Sequence, residues 1–285
     1  YKRQNLFSEE DAYLYKRNAD GTYDYSTITG YAGNEKNLVI PKEKNGVQLK
    51  TIGERAFRGY KLDSVVIPEG VETVEAFAFY TCGLKSISLP STLKVLEVSS
   101  FRGNNLTSID IPDSVVKLSG NVFNNNLLPD DQAFIYKRTE SGIDYSTLIG
   151  YGGASTSVII PAKKNGVQLT TIDRNAFIYN QMIDVTIPEG VTTIKTGAFA
   201  QSNFLREITI PSTVEVIEAR ALSKNTIPLL NTIINKTGKE FNWTSITEGS
   251  GNNTFVTGTI THPYGSIEVK SSSVSYTHLR AHETS

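Results

Sequence analysis

Leu106-Thr107-Ser108-Ile109-Asp110-Ile111-Pro112 decides how this chain is read, because it recurs. Leu84 to Pro90 and Leu62 to Pro68 precede it with the same pattern, and Met182 to Pro188 and Leu205 to Pro211 follow it. Self-similarity at a period of about 22 to 27 residues marks a solenoid, in which stacked units share one core. Within each unit the apolar residues stand at positions one, four and six, and polar residues at three and five. Extended backbone turns successive side chains to opposite faces, so positions four and six share the inner face. The closing proline has no N–H and a fixed φ, which ends the strand.

The rest of the unit follows the same logic. After a turn such as Glu69-Gly70 or Ser91-Thr92 comes a second short apolar run, Val71 to Val74 or Leu93 to Leu96, read as a shorter strand across the coil. Then a small residue precedes a large one, as in Ala56-Phe57, Ala78-Phe79, Ser100-Phe101, Val122-Phe123, Ala176-Phe177, Ala198-Phe199 and Ala221-Leu222. These large residues are expected to stack as a core ladder rather than to line an aromatic ligand box. The turn after each phenylalanine ends in Asn104-Asn105, Asn125-Asn126, Asn180-Gln181 or Cys82-Gly83. A buried turn leaves backbone groups to satisfy, and an asparagine amide both donates and accepts. Cys82 fills the same position as a small group with a weak donor.

Two segments break the period. Ala12 to Arg17 and Asp24 to Tyr31 flank Asn18-Ala19-Asp20-Gly21, two alternating Tyr-rich runs around an Asp-Gly turn, hence a β-hairpin. The hairpin returns at Ala133 to Arg138 and Asp144 to Tyr151, and Asn45-Gly46-Val47-Gln48-Leu49 returns as Asn165-Gly166-Val167-Gln168-Leu169. The chain is thus a tandem duplication of a super-unit, one hairpin-bearing coil plus several plain coils. Past Ala221-Leu222 the pattern frays. Leu230 to Ile234 reads as a last strand, and Trp243 as a cap over the exposed end of the core.

The Leu-x-x-Ile-x-Ile-Pro, Val-x-x-Ile and Ala-Phe order resembles the BspA-type leucine-rich repeats of bacterial cell-surface proteins, over about residues 5 to 245. The resemblance implies a mainly β solenoid, a right-handed coil array with short parallel strands, one-turn helical or 3-10 segments and inserted β-hairpins. The expected organisation is 1–8, the tail of a preceding repeat; 9–125, a first repeat block opened by a hairpin at 12–31; 126–228, a second block opened by a hairpin at 133–151; 229–248, a terminal coil and cap; 249–273, a β-hairpin that begins a following region; and 274–285. That last stretch, Val274-Ser275-Tyr276-Thr277-His278-Leu279-Arg280-Ala281-His282-Glu283-Thr284, resembles a translated sequencing adaptor and is set aside. The chain reads as a fragment that begins inside an array.

Composition narrows the function classes. Lysine plus arginine number 28 and aspartate plus glutamate 29, a balance that implies no field for polyanions, so no nucleic-acid partner is expected. No apolar run approaches the ~20 residues of a membrane span. Outside the adaptor-like tail His262 is the only histidine, and no Ser-His-Asp or Cys-His arrangement assembles around it. Cys82 is alone and cannot form an internal disulfide. Asp20-Gly21-Thr22-Tyr23-Asp24 faintly resembles a calcium loop, but its second copy, Ser141-Gly142-Ile143-Asp144, lacks the spaced carboxylates, so a plain turn is expected. Asn105-Leu106-Thr107, Asn242-Trp243-Thr244 and Asn252-Asn253-Thr254 match glycosylation triplets that arise readily by chance. No enzyme, cofactor or metal is expected.

What remains is surface. The solvent-facing strand positions Ser64, Ser86, Ser88, Ser108, Asp110, Asp184, Thr186, Glu207 and Thr209 form a hydroxyl-rich face with scattered acids. It reads either as a solubilising sheet face or as a broad contact surface. The hairpin tyrosines, among them Tyr13, Tyr15, Tyr136 and Tyr145, read either as aromatic anchors for a partner or as packing against the solenoid flank. Taken with the resemblance, the expectation is a non-enzymatic module of an exported bacterial surface protein, extracellular or attached to the cell wall. It would mediate adhesion or protein–protein binding to a protein or glycan on a cell or matrix surface. The alternative is an accessory scaffold or spacer of a secreted enzyme whose catalytic domain lies elsewhere.

Overall fold

A strand of two or three residues cannot stand alone; the parallel strands of the repeats find their partners one coil away, while Glu43–Lys44 with Val47–Gln48 and Lys163–Lys164 with Val167–Gln168 pair antiparallel across tight turns. The computed structural model describes residues 12–223, 230–248, 254–255, 257–262 and 265–271. The longer strands Asn37–Val39, Ser64–Val66 and Ser86–Ser88 form one parallel sheet. Ser157–Ile159, Asp184–Thr186, Glu207–Ile210, Thr232–Asn235 and Gly265–Ser271 form a second, closed by Gly258–His262 running antiparallel at its edge. The shorter strands Thr51–Ile52, Thr73–Val74, Val95–Leu96 and Lys117–Leu118 add in parallel to the first hairpin, Tyr13–Arg17 with Tyr23–Tyr31. Thr171–Ile172, Thr193–Ile194 and Val216–Ile217 add likewise to the second hairpin, Phe134–Thr139 with Gly142–Tyr151. Val65, Ile67, Ile52, Val74 and Leu96 project inward and are buried, as the one-four-six pattern requires.

The third side of each coil carries the phenylalanines. Phe57, Phe79, Phe101 and Phe123 stack at 4.8, 5.2 and 5.7 Å between ring centroids, with planes within 10°. Phe177 and Phe199 repeat this at 5.0 Å. A tyrosine heads each run: Tyr31 lies 5.8 Å from Phe57, and Tyr151 5.6 Å from Phe177. Gly33 and Gly153 make room for these rings, since a Cβ would fall 2.2 Å and 2.5 Å from the Tyr31 and Tyr151 hydroxyls.

Asparagine amides tie the turns together. Asn104 Oδ1 accepts from the N–H groups of Cys82 and Leu84, while its Nδ2 donates to the carbonyls of Phe79 and Phe101. Asn126 repeats the arrangement with Leu106, Phe101 and Phe123. Cys82 and Ser202 stand in for it, donating to the Phe57 and Phe177 carbonyls at 2.9 Å and 3.1 Å. Burial pushes the Cys82 thiol up to about 12, which keeps it in the protonated, donating form.

The residue before each small-large pair is left-handed: Arg55, Phe77, Ser99, Asn121, Asn175 and Arg220 have φ between 56° and 64°, and Gly197 has 71°. A second left-handed residue follows two positions after the phenylalanine, at Gly59, Thr81, Gly103, Asn125, Tyr179 and Gln201. In this turn every second N–H points to the next coil, and those between bond back within the turn. Arg55, Phe57 and Gly59 donate to the carbonyls of Ala76, Ala78 and Tyr80 in the next coil, and later coils repeat it. The last donors, Arg220 and Leu222, are taken by the Ser245 and Ile246 carbonyls of the helix Trp243–Glu248, whose Trp243 is fully buried.

One expectation is corrected. Leu106 to Pro112, the pattern-bearing stretch itself, forms no strand. The coil after it offers Leu127-Leu128-Pro129 and then the second hairpin, so it has no matching strand on that side. Its backbone bonds to side chains instead. The Ile109 N–H donates to Gln132 Oε1 at 3.0 Å, and the Arg138 guanidinium donates to the Ile111 and Pro112 carbonyls at 3.0 Å and 2.8 Å. Expectations placed on residues 1–8, 249–253 and 274–285 lie outside the described residues.

Candidate functional site

Strand register arranges the outward side chains in rows. In the first sheet Asn37, Ser64 and Ser86 are aligned, beside a row of Val39, Val66 and Ser88. In the second, one row runs Ser157, Asp184, Glu207, Thr232 and Glu268, and the other Ile159, Thr186, Thr209, Ile234 and Lys270. Asp184, Thr186 and Glu207 are exposed, Thr209 is half-buried, and among the described residues neither Asp184 nor Glu207 pairs with a cation. Ser64 is half-buried and donates to Asn37 Oδ1 at 2.9 Å. The structure therefore gathers Ser64, Ser86 and Ser88 on one patch and Asp184, Thr186, Glu207 and Thr209 on another. Ser108 and Asp110 sit on the unpaired run between the two sheets.

The face is less hydroxyl-rich than its serines and threonines imply. Val39 is 70% exposed, Val66 41% and Ile159 73%. These are the same outward positions as Ser88, Thr186 and Thr209, so they could have been read from the pattern. Exposed aliphatics thus stand beside hydroxyls and carboxylates on this face.

Tyr13 and Tyr136 are corrected as anchors. They are 8% and 7% exposed, so neither ring is open to a partner. Tyr13 packs at 5.2 Å from Tyr31, and its hydroxyl donates to the Val39 carbonyl at 3.2 Å. Tyr136 meets Tyr145 edge to face at 5.3 Å, and Tyr15 meets Tyr25 at 5.2 Å. Tyr15 and Tyr145 are half-buried.

An open cleft of about 240 Å³ lies where the blocks meet, between the unpaired run and the second hairpin. Ile109 and Ile111 form one wall and Tyr136, Tyr145 and Arg138 the other, with Asp110 and Lys164 among its lining residues. Burial pushes the Arg138 guanidinium below its usual value, opposed by Asp113 at 3.9 Å. A second cleft of about 230 Å³ lies by the first hairpin, lined by Tyr13, Tyr31, Glu35, Asn37, Leu38, Val39 and Pro41.

Sequence reasoning missed how the blocks are joined. Asn124 Oδ1 accepts from the Tyr151 N–H, and its Nδ2 donates to the Ala176 carbonyl, while Asn125 Nδ2 donates to the Tyr179 carbonyl. The Arg102 guanidinium lies over the Tyr179 ring at 4.2 Å. The signal was the run of three asparagines, Asn124 to Asn126, where the other coils carry at most two. Among the described residues no group of three or more His, Cys, Asp or Glu side chains could hold a metal, and no helix is long and apolar enough to cross a membrane.

The geometry can be set beside known proteins. The structure is similar to the pneumococcal vaccine antigen PcpA, at 19% identity over 78% of this chain and 66% of that one, with a TM-score of 0.45. It is similar to a leucine-rich repeat protein from Eubacterium ventriosum, at 19% identity over 74% and 65%, TM-score 0.49. A leucine rich cell surface protein from Faecalibacterium prausnitzii matches at 21% identity over 84% and 97%, TM-score 0.31. The chain spans 66% and 65% of the length of the first two. No curated protein matches it. The sequence profile of the BspA type leucine rich repeat region matches residues 34–134 and 156–280 in 6 copies, and the chain belongs to that family.

Proposed function

We propose that this chain is a non-enzymatic binding module of an exported bacterial surface protein, acting outside the cell in adhesion or protein–protein contact. The observation that carries the reading is the second outward sheet. Across its neighbouring strands Asp184, Thr186, Glu207 and Thr209 stand in register, with the exposed Ile159 beside them. A solenoid presents such a face as one extended surface, and partners engage it over many side chains at once. Family membership supports the reading.

The test is binding of the purified chain to panels of matrix proteins, glycans and neighbouring bacterial cells. A variant carrying Asp184→Lys, Thr186→Lys and Glu207→Lys is expected to lose bound signal about tenfold or more while melting as the parent does. Absence of binding by the parent to every panel member would sink adhesion as the role. Equal binding by the variant would move the contact off this sheet.

A further inference from the structure

A second row of side chains runs outside the phenylalanine ladder. Arg58, Tyr80 and Arg102 directly follow Phe57, Phe79 and Phe101 in successive coils. The Arg58 guanidinium, from the coil before, lies 5.5 Å from the Tyr80 ring centroid, and the Arg102 guanidinium, from the coil after, also lies 5.5 Å from it. On its other side, across the block junction, Arg102 meets Tyr179 at 4.2 Å. Stacking on aromatic rings suits a planar, weakly hydrated guanidinium, but it makes no hydrogen bonds. Among the described residues neither Arg58 nor Arg102 donates a side-chain hydrogen bond or pairs with a carboxylate. Arg102 is half-buried, its Nε is buried without a partner, and burial pushes its guanidinium below the usual value. Arg138 is drawn down for the same reason, yet it has the Ile111 and Pro112 carbonyls and Asp113 as partners. Arg102 is a cation taken partly out of water with its fork unfilled.

We propose that Arg102, held between Tyr80 and Tyr179, is a binding site for the sulfate or carboxylate group of an acidic glycan. With a ring on each side of the guanidinium, an oxyanion reaches it in its own plane, where the terminal N–H groups donate as a fork. Tyr179 is 41% exposed, and an open aromatic ring beside a cation fits a sugar. The C–H face of a pyranose rests on the electron-rich ring while its acid substituent meets the guanidinium. Arg58 is exposed beyond Tyr80 and places a second cation along the row, which suits a chain of repeating negative charge. The near-equal totals of 28 basic and 29 acidic residues hide this local excess. The row lies on the turn side of the coil rather than on the outward sheet, so it stands or falls separately from the adhesion surface there.

The experiment measures binding of a sulfated heparin octasaccharide to the full chain at low salt. Arg102→Gln is expected to weaken binding about tenfold or more, and Arg102→Lys, which keeps the charge and loses the fork, by less. Lys117→Ala removes an exposed cation from another side of the coil and is expected to change binding by less than about twofold. Arg102 also stacks across the block junction, so a second readout uses the unaltered chain. The octasaccharide is expected to shift the guanidinium N–H resonances of Arg102 more than those of Arg138 or Arg174. No saturable binding, an unmoved Arg102 resonance, or equal losses from Arg102→Gln and Lys117→Ala would overturn the proposal. Competition decides the occupant. A glutamate octapeptide or inorganic sulfate that displaces the octasaccharide at equal concentration would overturn the glycan and assign the site to an acidic peptide or a bare anion.

Discussion

Leu14 and Ile135 occupy one position in two nearly identical hairpins, yet the first is 51% exposed and the second 7%. The strands that carry them share their pairing register and their irregularities. Local sequence therefore sets the shape of the hairpin, and the neighbouring coil sets its burial. The same holds for Tyr15 and Tyr136, half-buried and buried, and for Arg17 and Arg138. In a solenoid a residue's energetic weight belongs to an interface between units, so equal sequences need not have equal consequences.

The scale is set by the ladder that both blocks use. Phe101 is fully buried between Phe79 and Phe123, and Phe101→Ala is expected to cost about 3–5 kcal/mol in urea denaturation. A change under ~1 kcal/mol would remove Phe101 from the core. The contrast between the hairpins comes next. Ile135→Ala is expected to cost about 2–4 kcal/mol and Leu14→Ala less than ~1 kcal/mol, and equal values would break the comparison. Arg138→Ala leaves the Ile111 and Pro112 carbonyls without their donor and is expected to cost about 1.5–3 kcal/mol by the same assay.

The smallest effect concerns what the hairpins share. Asp24 and Asp144 accept from the hydroxyls of Ser26 and Ser146, which hold both carboxyls below their ordinary 3.8 against the opposing effect of burial. A carboxylate with a lowered folded value contributes stability above the unfolded value and loses it as pH falls through the folded one. Stability is therefore expected to decline below about pH 4, and Asp24→Asn and Asp144→Asn to flatten that decline equally. Unequal flattening, read from denaturation at pH 2.5 to 5, would show that docking reaches even these turns.

Much of the fold was legible in the residues. The inward strand positions, the phenylalanine stack and the asparagine turns each rest on a side chain that must be there, so the sequence repeats them. The left-handed residues were not legible, because a backbone hydrogen bond to the next coil holds them and the side chain drifts from Arg55 to Phe77 to Ser99. Gly197 and the asparagines Asn121 and Asn175 were the available hint. The failure of Leu106 to Pro112 to form a strand was hidden for a different reason: pairing is decided by the neighbour, and the neighbour is a hairpin-bearing coil. The outward face was read for its hydroxyls and under-read for Val39, Val66 and Ile159.

The turn stack has a direction. Arg55, Phe57 and Gly59, and counterparts in later coils through Arg220 and Leu222, send their N–H groups toward the later coil, and where the blocks meet the Asn124 amide donates in the same direction. Each peptide carries a dipole of about 3.5 D, and along this edge the dipoles add rather than alternate as they do across a sheet. The edge therefore behaves as a wire with two unlike terminals. Its far terminal takes carbonyl oxygens, as Ser245 and Ile246 supply, whereas anything seated on its near terminal must bring donors. A cap grafted from one end of the array to the other would meet the wrong polarity.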